Sequence, residues 1–376
     1  MKIRAAVLNR TGLPRPYAES RPLSIETLEL DPPGQGEVLV RIKAAGLCHS
    51  DLSVINGDRP RPVPMALGHE AAGIVEEVGP GVTDLAPGDH VVLVFVPSCG
   101  HCPPCAEGRP ALCEPGNAAN GRGEMLGGGR RLHRAGENVN HHLGVSAFAE
   151  RAVVSRNSLV RIDPAVPLEE AALFGCAVLT GVGAVANTAR VPVGATVAVI
   201  GLGGVGLNAL LGAVAAGASR IVAVDLLAPK LDLARELGAT DTFDAAAEDC
   251  ARAIREATSG GVDFAFEMAG SVPALELAYA VTRRGGTTVT AGLANPERRM
   301  SIQQVSLVAE ERTLKGSYVG SCIPVRDVPR LMALYRQGRL KVDRLLTDRI
   351  ELDDINHAFD RLADGEAIRQ VVVFPD

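Results

Sequence analysis

Up to about Cys176, apolar residues come in short runs such as Glu37 to Ile42 (EVLVRI) and Ala72 to Val78 (AGIVEEV). Turn residues break them closely, as in Pro80-Gly81 and Pro87-Gly88-Asp89. Short strand-like runs with frequent turn chemistry predict an irregular, largely β domain. From about Thr196 to Val289 the rhythm changes to TVAVIG, VGLNALLGAVAAG, RIVAVD, PKLDLARELG, DFAFEMAG, VPALELAYAV and TTVTAG. Continuous apolar strands alternating with Ala-rich helical stretches predict βαβ units, with a parallel sheet covered by helices on both faces. Near the C-terminus, RLMALYRQGRL and DDINHAFDRLADG read as amphipathic helices before the strand RQVVVF. They are expected to pack back on the first domain. The segment from Gly121 to Gly144 (GRGEMLGGGRRLHRAGENVNHHLG) reads as a long loop or hairpin, with a dedicated anion site as the alternative.

Composition narrows the picture. A chain of 376 residues exceeds a typical single core, so two domains are expected. The 47% hydrophobic and 22% charged residues are those of a globular protein. There is no Trp, and the net charge is -6 with scattered Lys and Arg, which argues against a nucleic-acid partner. No stretch approaches the roughly 20 apolar residues of a membrane span, and the first residues carry no leader-type apolar run, so a cytoplasmic protein without a membrane partner is expected. Eight cysteines are few for a disulfide scaffold and more often bind metal in a reducing compartment.

Gly201-Leu202-Gly203-Gly204-Val205-Gly206 follows the strand TVAVI and opens a helix. In such a loop the first Gly permits the tight turn, the second lets backbone approach a pyrophosphate, and the third lets helix and strand pack closely. Asp225 closes the next strand, where a carboxylate can accept from the ribose hydroxyls of a dinucleotide. The other reading of Asp225 is an N-cap of the following helix. A carboxylate there, followed by Leu226 and Leu227 with no Arg, repels a 2′-phosphate and favours NAD over NADP.

The cysteines fall into two sets. Cys99, Cys102, Cys105 and Cys113 sit within CGHCPPCAEGRPALC, and four thiolates in one short lobe suit a closed, tetrahedral structural zinc. An iron-sulfur cluster is the alternative and calls for an electron-transfer partner. Cys48 (GLCHSD), His69 (LGHEAAG) and Cys176 (FGCAVLTG) are dispersed. Two thiolates, one imidazole and an open fourth position make the ligand set of a catalytic zinc, although a cysteine is often only a small buried apolar residue.

GHEAAGIVEEVGPGV, the four-cysteine lobe, GC-x3-TG and GLGGVG, in this order along nearly the whole chain, resemble the zinc-containing medium-chain alcohol dehydrogenase family. The resemblance implies α/β plus β architecture: a GroES-like catalytic domain (1–177 with 323–376) split around a Rossmann-type doubly wound parallel sheet (178–322). It implies an active-site cleft between the two domains, a catalytic zinc on Cys48, His69 and Cys176, and a structural zinc on the four-cysteine lobe. By the same resemblance Ser50 is the hydroxyl that first accepts the alcohol proton, Asp51 orients the ligand histidine, and Glu70 is the acidic residue behind the zinc. His49, Thr180, Lys230 and Arg369 join Gly201, Gly203, Gly204, Val205, Gly206 and Asp225 as cofactor contacts, Arg369 at the pyrophosphate. Phe95, Leu143, Tyr318 and Val319 occupy substrate-pocket positions. Ser53 stands where part of the family has a histidine that ends the proton relay.

The activity this implies is reversible, NAD-linked oxidation of a primary, secondary or aromatic alcohol, with a small-molecule alcohol, aldehyde or ketone as partner. A homodimer joined through sheet edges around Ser301 to Leu314 is also implied. Two alternatives stand beside it. One is an S-(hydroxymethyl)glutathione (formaldehyde) dehydrogenase, against which Glu114 to Asn117 supply no Arg anchor. The other is a non-catalytic NAD-binding relative, against which the seven ligand candidates are all retained.

Overall fold

The computed structural model describes residues 1–375. It divides into two compact units: residues 1–176, 323–330 and 346 to the C-terminal end of the described chain, and residues 177–322 with 331–345. Sequence had assigned everything from 323 to 376 to the first domain. Residues 331–345 cluster instead with the second, where Leu340, Val342 and Leu345 are fully buried. Asp376, the last residue of that expected span, lies outside the described residues.

The first unit is built from two β systems. Lys2–Leu8, Leu23–Leu30, Leu132–Arg134, Glu137–His141 and Met65–Ala66 close a barrel. Its interior is filled by alternate residues such as Ile3, Ala5 and Val7 with Leu28, Leu30 and Val139, all buried. A second sheet runs in the order Leu159–Arg161, His90–Leu93, Ala71–Val78, Glu37–Gly46, Arg369–Val373 and Leu346–Ile350, with Arg151–Ser155 also pairing with Glu37–Gly46. The C-terminal strand thus reaches the first unit as expected, antiparallel to Glu37–Gly46. The Gly121 to Gly144 segment is the end of a helix, Glu114–Arg122, followed by the hairpin of Leu132–Arg134 and Glu137–His141 that helps close the barrel. It contributes structure, and one of its last residues, His142, reaches the metal site described below.

The second unit holds six parallel strands in the order Asp241–Asp244, Arg220–Asp225, Thr196–Ile200, Val262–Glu267, Thr282–Thr290 and Thr313–Gly316. Ala198, Ile200, Val222 and Val224 are buried among Ile254, Ala278 and Val281, which is why these strands read as unbroken apolar runs. The order reverses direction beside Thr196–Ile200, and ligands bind at such a switch point outside the carboxyl ends of the strands.

Candidate active site

Cys48 ends the extended segment before the helix His49–Ile55, His69 precedes the strand Ala71–Val78, and Cys176 follows a short 3-10 turn. All three are buried, and their ligand atoms lie within 4.8 Å of one another. Nδ1 of His69 lies 3.1 Å from Oδ1 of Asp51, and both side chains are fully buried. The other ring nitrogen, Nε2, is buried with no hydrogen-bond partner. A buried polar atom without a partner costs free energy unless something fills the position. Two thiols beside that orphan nitrogen make a donor set suited to zinc.

The electrostatics agree with that fit. Burial alone would suppress the charge on His69, but the Asp51 carboxylate and the Cys48 thiolate outweigh it and push its pKa up to about 10. Cys48 is held well below the usual thiol range by a hydrogen bond with Cys176 against the cost of burial, with His69 adding to the effect. Burial likewise opposes ionisation of Asp51, yet His69 and His142 keep its carboxyl below the usual range. Without metal the site is therefore an imidazolium between anions, and a metal replaces that proton.

The four-cysteine lobe lies apart in the same unit. Cys99, Cys102, Cys105 and Cys113 bring their sulfurs within 4.8 Å of one another, and none of the eight cysteines forms a disulfide. Backbone N–H groups point at two of these sulfurs: Cys102 donates to Cys99 at 3.3 Å, while Cys99 and Gly116 donate to Cys113 at 3.2 and 3.3 Å. The N–H groups of His101 and Cys102 lower the Cys99 pKa to about 6, while burial pushes Cys105 up to about 12 and raises Cys113, so one thiol of the metal-free cluster is set apart as the anion. Four convergent sulfurs leave no position for substrate.

The Gly-rich loop is shaped as its spacing implies. Gly201 has φ +90, and a Cβ on it would lie 2.7 Å from Ala269. A Cβ on Gly206 would lie 1.8 Å from the Gly201 carbonyl oxygen, so helix Gly204–Ala215 can lie against the loop only without a side chain there. A Cβ on Gly203 would meet no protein atom within 4 Å, which leaves that face open to a ligand. Oδ2 of Asp225 accepts from Leu202 N at 2.7 Å and Oδ1 from Leu227 N at 3.1 Å. It thus braces the Gly-rich loop and the turn before the helix Ala228–Leu237, whose N-cap is Leu227 and not Asp225, and each carboxylate oxygen keeps a second acceptor position.

The remaining expected residues divide between the units. In the first, His49 is exposed at the start of its helix, Ser50 is partly buried beside it, and Ser53 Oγ donates to the His49 carbonyl at 2.8 Å. Phe95 meets His69 edge-on with ring centroids 5.1 Å apart, and Leu143 is buried. Arg369 was expected at a pyrophosphate. Its guanidinium is 3% exposed and paired with the fully buried Glu70, because a buried cation needs a carboxylate partner. The second unit carries Thr180, buried in helix Ala177–Gly183, with Lys230 half-buried, Tyr318 exposed and Val319 buried. Cys250 and Cys322 are buried and belong to neither metal set, Cys322 donating to the Leu179 carbonyl.

Sequence reasoning missed His142. It is 1% exposed, its Nδ1 lies 3.2 Å from Oδ1 of Asp51, and its ring stands edge-on to His69 with centroids 5.6 Å apart. The only hint was the His141-His142 pair inside a segment read as a loop.

Comparison with known families and proteins adds an independent line. Residues 34–164 match the model of the alcohol dehydrogenase GroES-like domain, and residues 204–337 that of the zinc-binding dehydrogenase. The chain is 43% identical over 377 residues to an NDMA-dependent alcohol dehydrogenase of Amycolatopsis methanolica, covering 99% of each. An alcohol dehydrogenase zinc-binding domain protein from Burkholderia ambifaria superposes with a TM-score of 0.94 at 37% identity, over 100% of both chains. Benzyl alcohol dehydrogenase from Acinetobacter calcoaceticus superposes with a TM-score of 0.93 at 34% identity, again over 100% of both.

Proposed function

The chain belongs to the zinc-containing medium-chain alcohol dehydrogenase family, and from that premise we propose that it moves a hydride between a primary, secondary or aromatic alcohol and NAD. The observation that carries the reading is the buried cluster of Cys48, His69 and Cys176 around an imidazole nitrogen with no protein partner. Zinc held there supplies a Lewis acid that lowers the pKa of the alcohol hydroxyl. Ser50, two residues after Cys48, takes the hydroxyl proton. Asp51 holds His69 in the tautomer whose Nε2 is free to ligate. Glu70 and Arg369 set a neutral, buried ion pair beside the thiolates. The open face at Gly203 and the Asp225 carboxylate are the features that fit a dinucleotide without a 2′-phosphate, and NAD supplies the hydride acceptor.

Phe95 gives the first unit's metal site an apolar border, which suits an aromatic or medium-sized alcohol, as does the similarity to a benzyl alcohol dehydrogenase; Leu143 joins it by the family resemblance. No single helix among the described residues is long and apolar enough to cross a membrane. With eight cysteines free of disulfides we place the enzyme in the cytoplasm. A homodimer completes the proposal, since Thr313–Gly316 is an exposed edge strand.

One relative is named for NDMA dependence, so the decisive experiment varies the acceptor. Benzyl, primary and secondary alcohols are offered with NAD, NADP or NDMA. Turnover with NAD at least tenfold more efficient than with NADP supports the proposal. Turnover that needs NDMA and ignores added NAD overturns NAD as the exchanging acceptor while leaving the zinc reading intact.

A further inference from the structure

Asp51 is unusual in how its oxygens are used. The side chain is fully buried, and three nitrogens crowd Oδ1: Gly68 N at 3.3 Å and His69 Nδ1 at 3.1 Å in hydrogen-bond geometry, and His142 Nδ1 at 3.2 Å, close by distance but outside that geometry. Oδ2 is buried with no partner. A buried carboxylate needs donors on every side to be held in one orientation. Here one of the two imidazoles is His69. The other comes from a separate part of the chain.

The backbone that presents His142 is strained. Leu143 and Ser146 have φ +53 and +54 without being glycine, and Gly144 between them has φ +69. Val145 and Ser146 donate back to the His142 carbonyl at 3.0 and 3.2 Å. The His142 N–H donates to Ser146 Oγ at 2.9 Å. Left-handed conformations at non-glycine residues persist only where surrounding structure sustains them, and they concentrate at functional sites. This tight turn delivers one side chain, His142, to Asp51.

We propose that His142 is a positioning residue for the catalytic metal. Its Nδ1 stands 3.2 Å from the Asp51 oxygen that His69 also faces. The shared oxygen is fixed in place, and it gives less of its charge to His69 than an undivided acceptor would. His142 thereby sets the orientation of the ligand imidazole and limits its basicity toward the metal. The inference rests on the reading of Cys48, His69 and Cys176 as the catalytic zinc site, and goes beyond it by adding a residue outside the ligand set.

The test compares His142→Asn, whose amide N–H stands close to the Nδ1 position, with His142→Gln, whose N–H is displaced along the side chain, and His142→Leu, which has none. Each full-length variant is read by the rate at which a chromogenic chelator removes its zinc and by the visible spectrum after cobalt exchange. Partners of metal-bound histidines are worth about 10–100-fold in metal affinity or activity. Gln and Leu should therefore release the labile zinc at least tenfold faster, shift the cobalt bands and lower kcat, with release from the four-cysteine lobe unchanged. Asn should restore both metal readouts toward those of the unmodified protein. If Leu does not fold, the Asn and Gln pair decides the matter. Equal behaviour of Asn and Gln, or unchanged release and spectra in Gln, overturns the role of His142. Failure of the underlying zinc reading is separable: Cys176→Ser would then retain both zinc ions.

Discussion

Single residues divide the two metal sites by function. Cys176→Ser should abolish turnover, with the thermal midpoint close to that of the unmodified protein, because its site is open and lies on strands and turns that pack without it. Cys105→Ser should lower the midpoint or solubility, since the helices around the four-cysteine lobe, Pro103–Ala106 and Pro110–Leu112, bury almost no side chains of their own. Differential scanning fluorimetry beside steady-state rates checks the pair; equal destabilisation by both contradicts the division. His69 adds a pH dependence. Its pKa is raised to about 10, so below that pH the metal-free imidazole carries a proton that zinc must displace. Zinc affinity should then rise with pH above neutrality, the His69 proton being among those released as the ion binds. Calorimetric titration in two buffers of different ionisation enthalpy measures that proton, and a release of zero would sink the assignment. The four-cysteine cluster was legible in the sequence from its close spacing, and Cys48, His69 and Cys176, which the structure brings together, were legible only through the family resemblance. His142 was not, since nothing local to a His-His pair says which distant carboxylate it will meet.

Among the elements, Asp360 joins the two ends of the first unit's chain. It lies in the helix Ile355–Ala363, and its carboxylate accepts from the N–H groups of Tyr17 and Ala18 at 2.8 Å each, closing the start of the short helix Tyr17–Ser20. Arg15 adds an ion pair at 3.3 Å. Burial opposes the charge, but these donors prevail and keep the Asp360 carboxyl below its ordinary value. A carboxylate whose pKa is lower in the folded than in the unfolded chain stabilises above the unfolded value, and that contribution fades as pH falls through the folded one. Asp360→Asn should cost about 1–3 kcal/mol at pH 7 and flatten the acid limb of the stability profile. Urea unfolding at neutral and acid pH tests this, and an unchanged acid limb would refute it. The strand and helix types of the second unit were readable because TVAVIG and RIVAVD are apolar on both faces. The Asp360 contact was not, as a helix N-terminus can be closed by any donor-seeking carboxylate the fold brings near.

At the scale of the molecule the open question is assembly. Thr313–Gly316 is exposed along its length at the edge of the six-stranded sheet, and Val305 and Val308 just before it are 68% and 69% exposed. An uncovered apolar edge invites pairing with another copy. Light scattering at micromolar concentration should give twice the chain mass, and Leu314→Pro, which removes an edge N–H, should shift it toward one chain mass with zinc content unchanged. A monomeric unmodified protein would refute the dimer. The sequence by itself determined the strand-helix rhythm, the Gly-rich loop and the four-cysteine set, because steric freedom at Gly201 and closely spaced thiols are properties of residue type and short spacing, whereas the dispersed Cys48, His69 and Cys176 were read only through the family resemblance. Only the tertiary structure decided that residues 331–345 belong with the second unit, that Arg369 is buried against Glu70, and that the His142 ring lies against Asp51. Those outcomes depend on which buried charges and apolar faces find each other across long stretches of chain, and no local pattern encodes that choice.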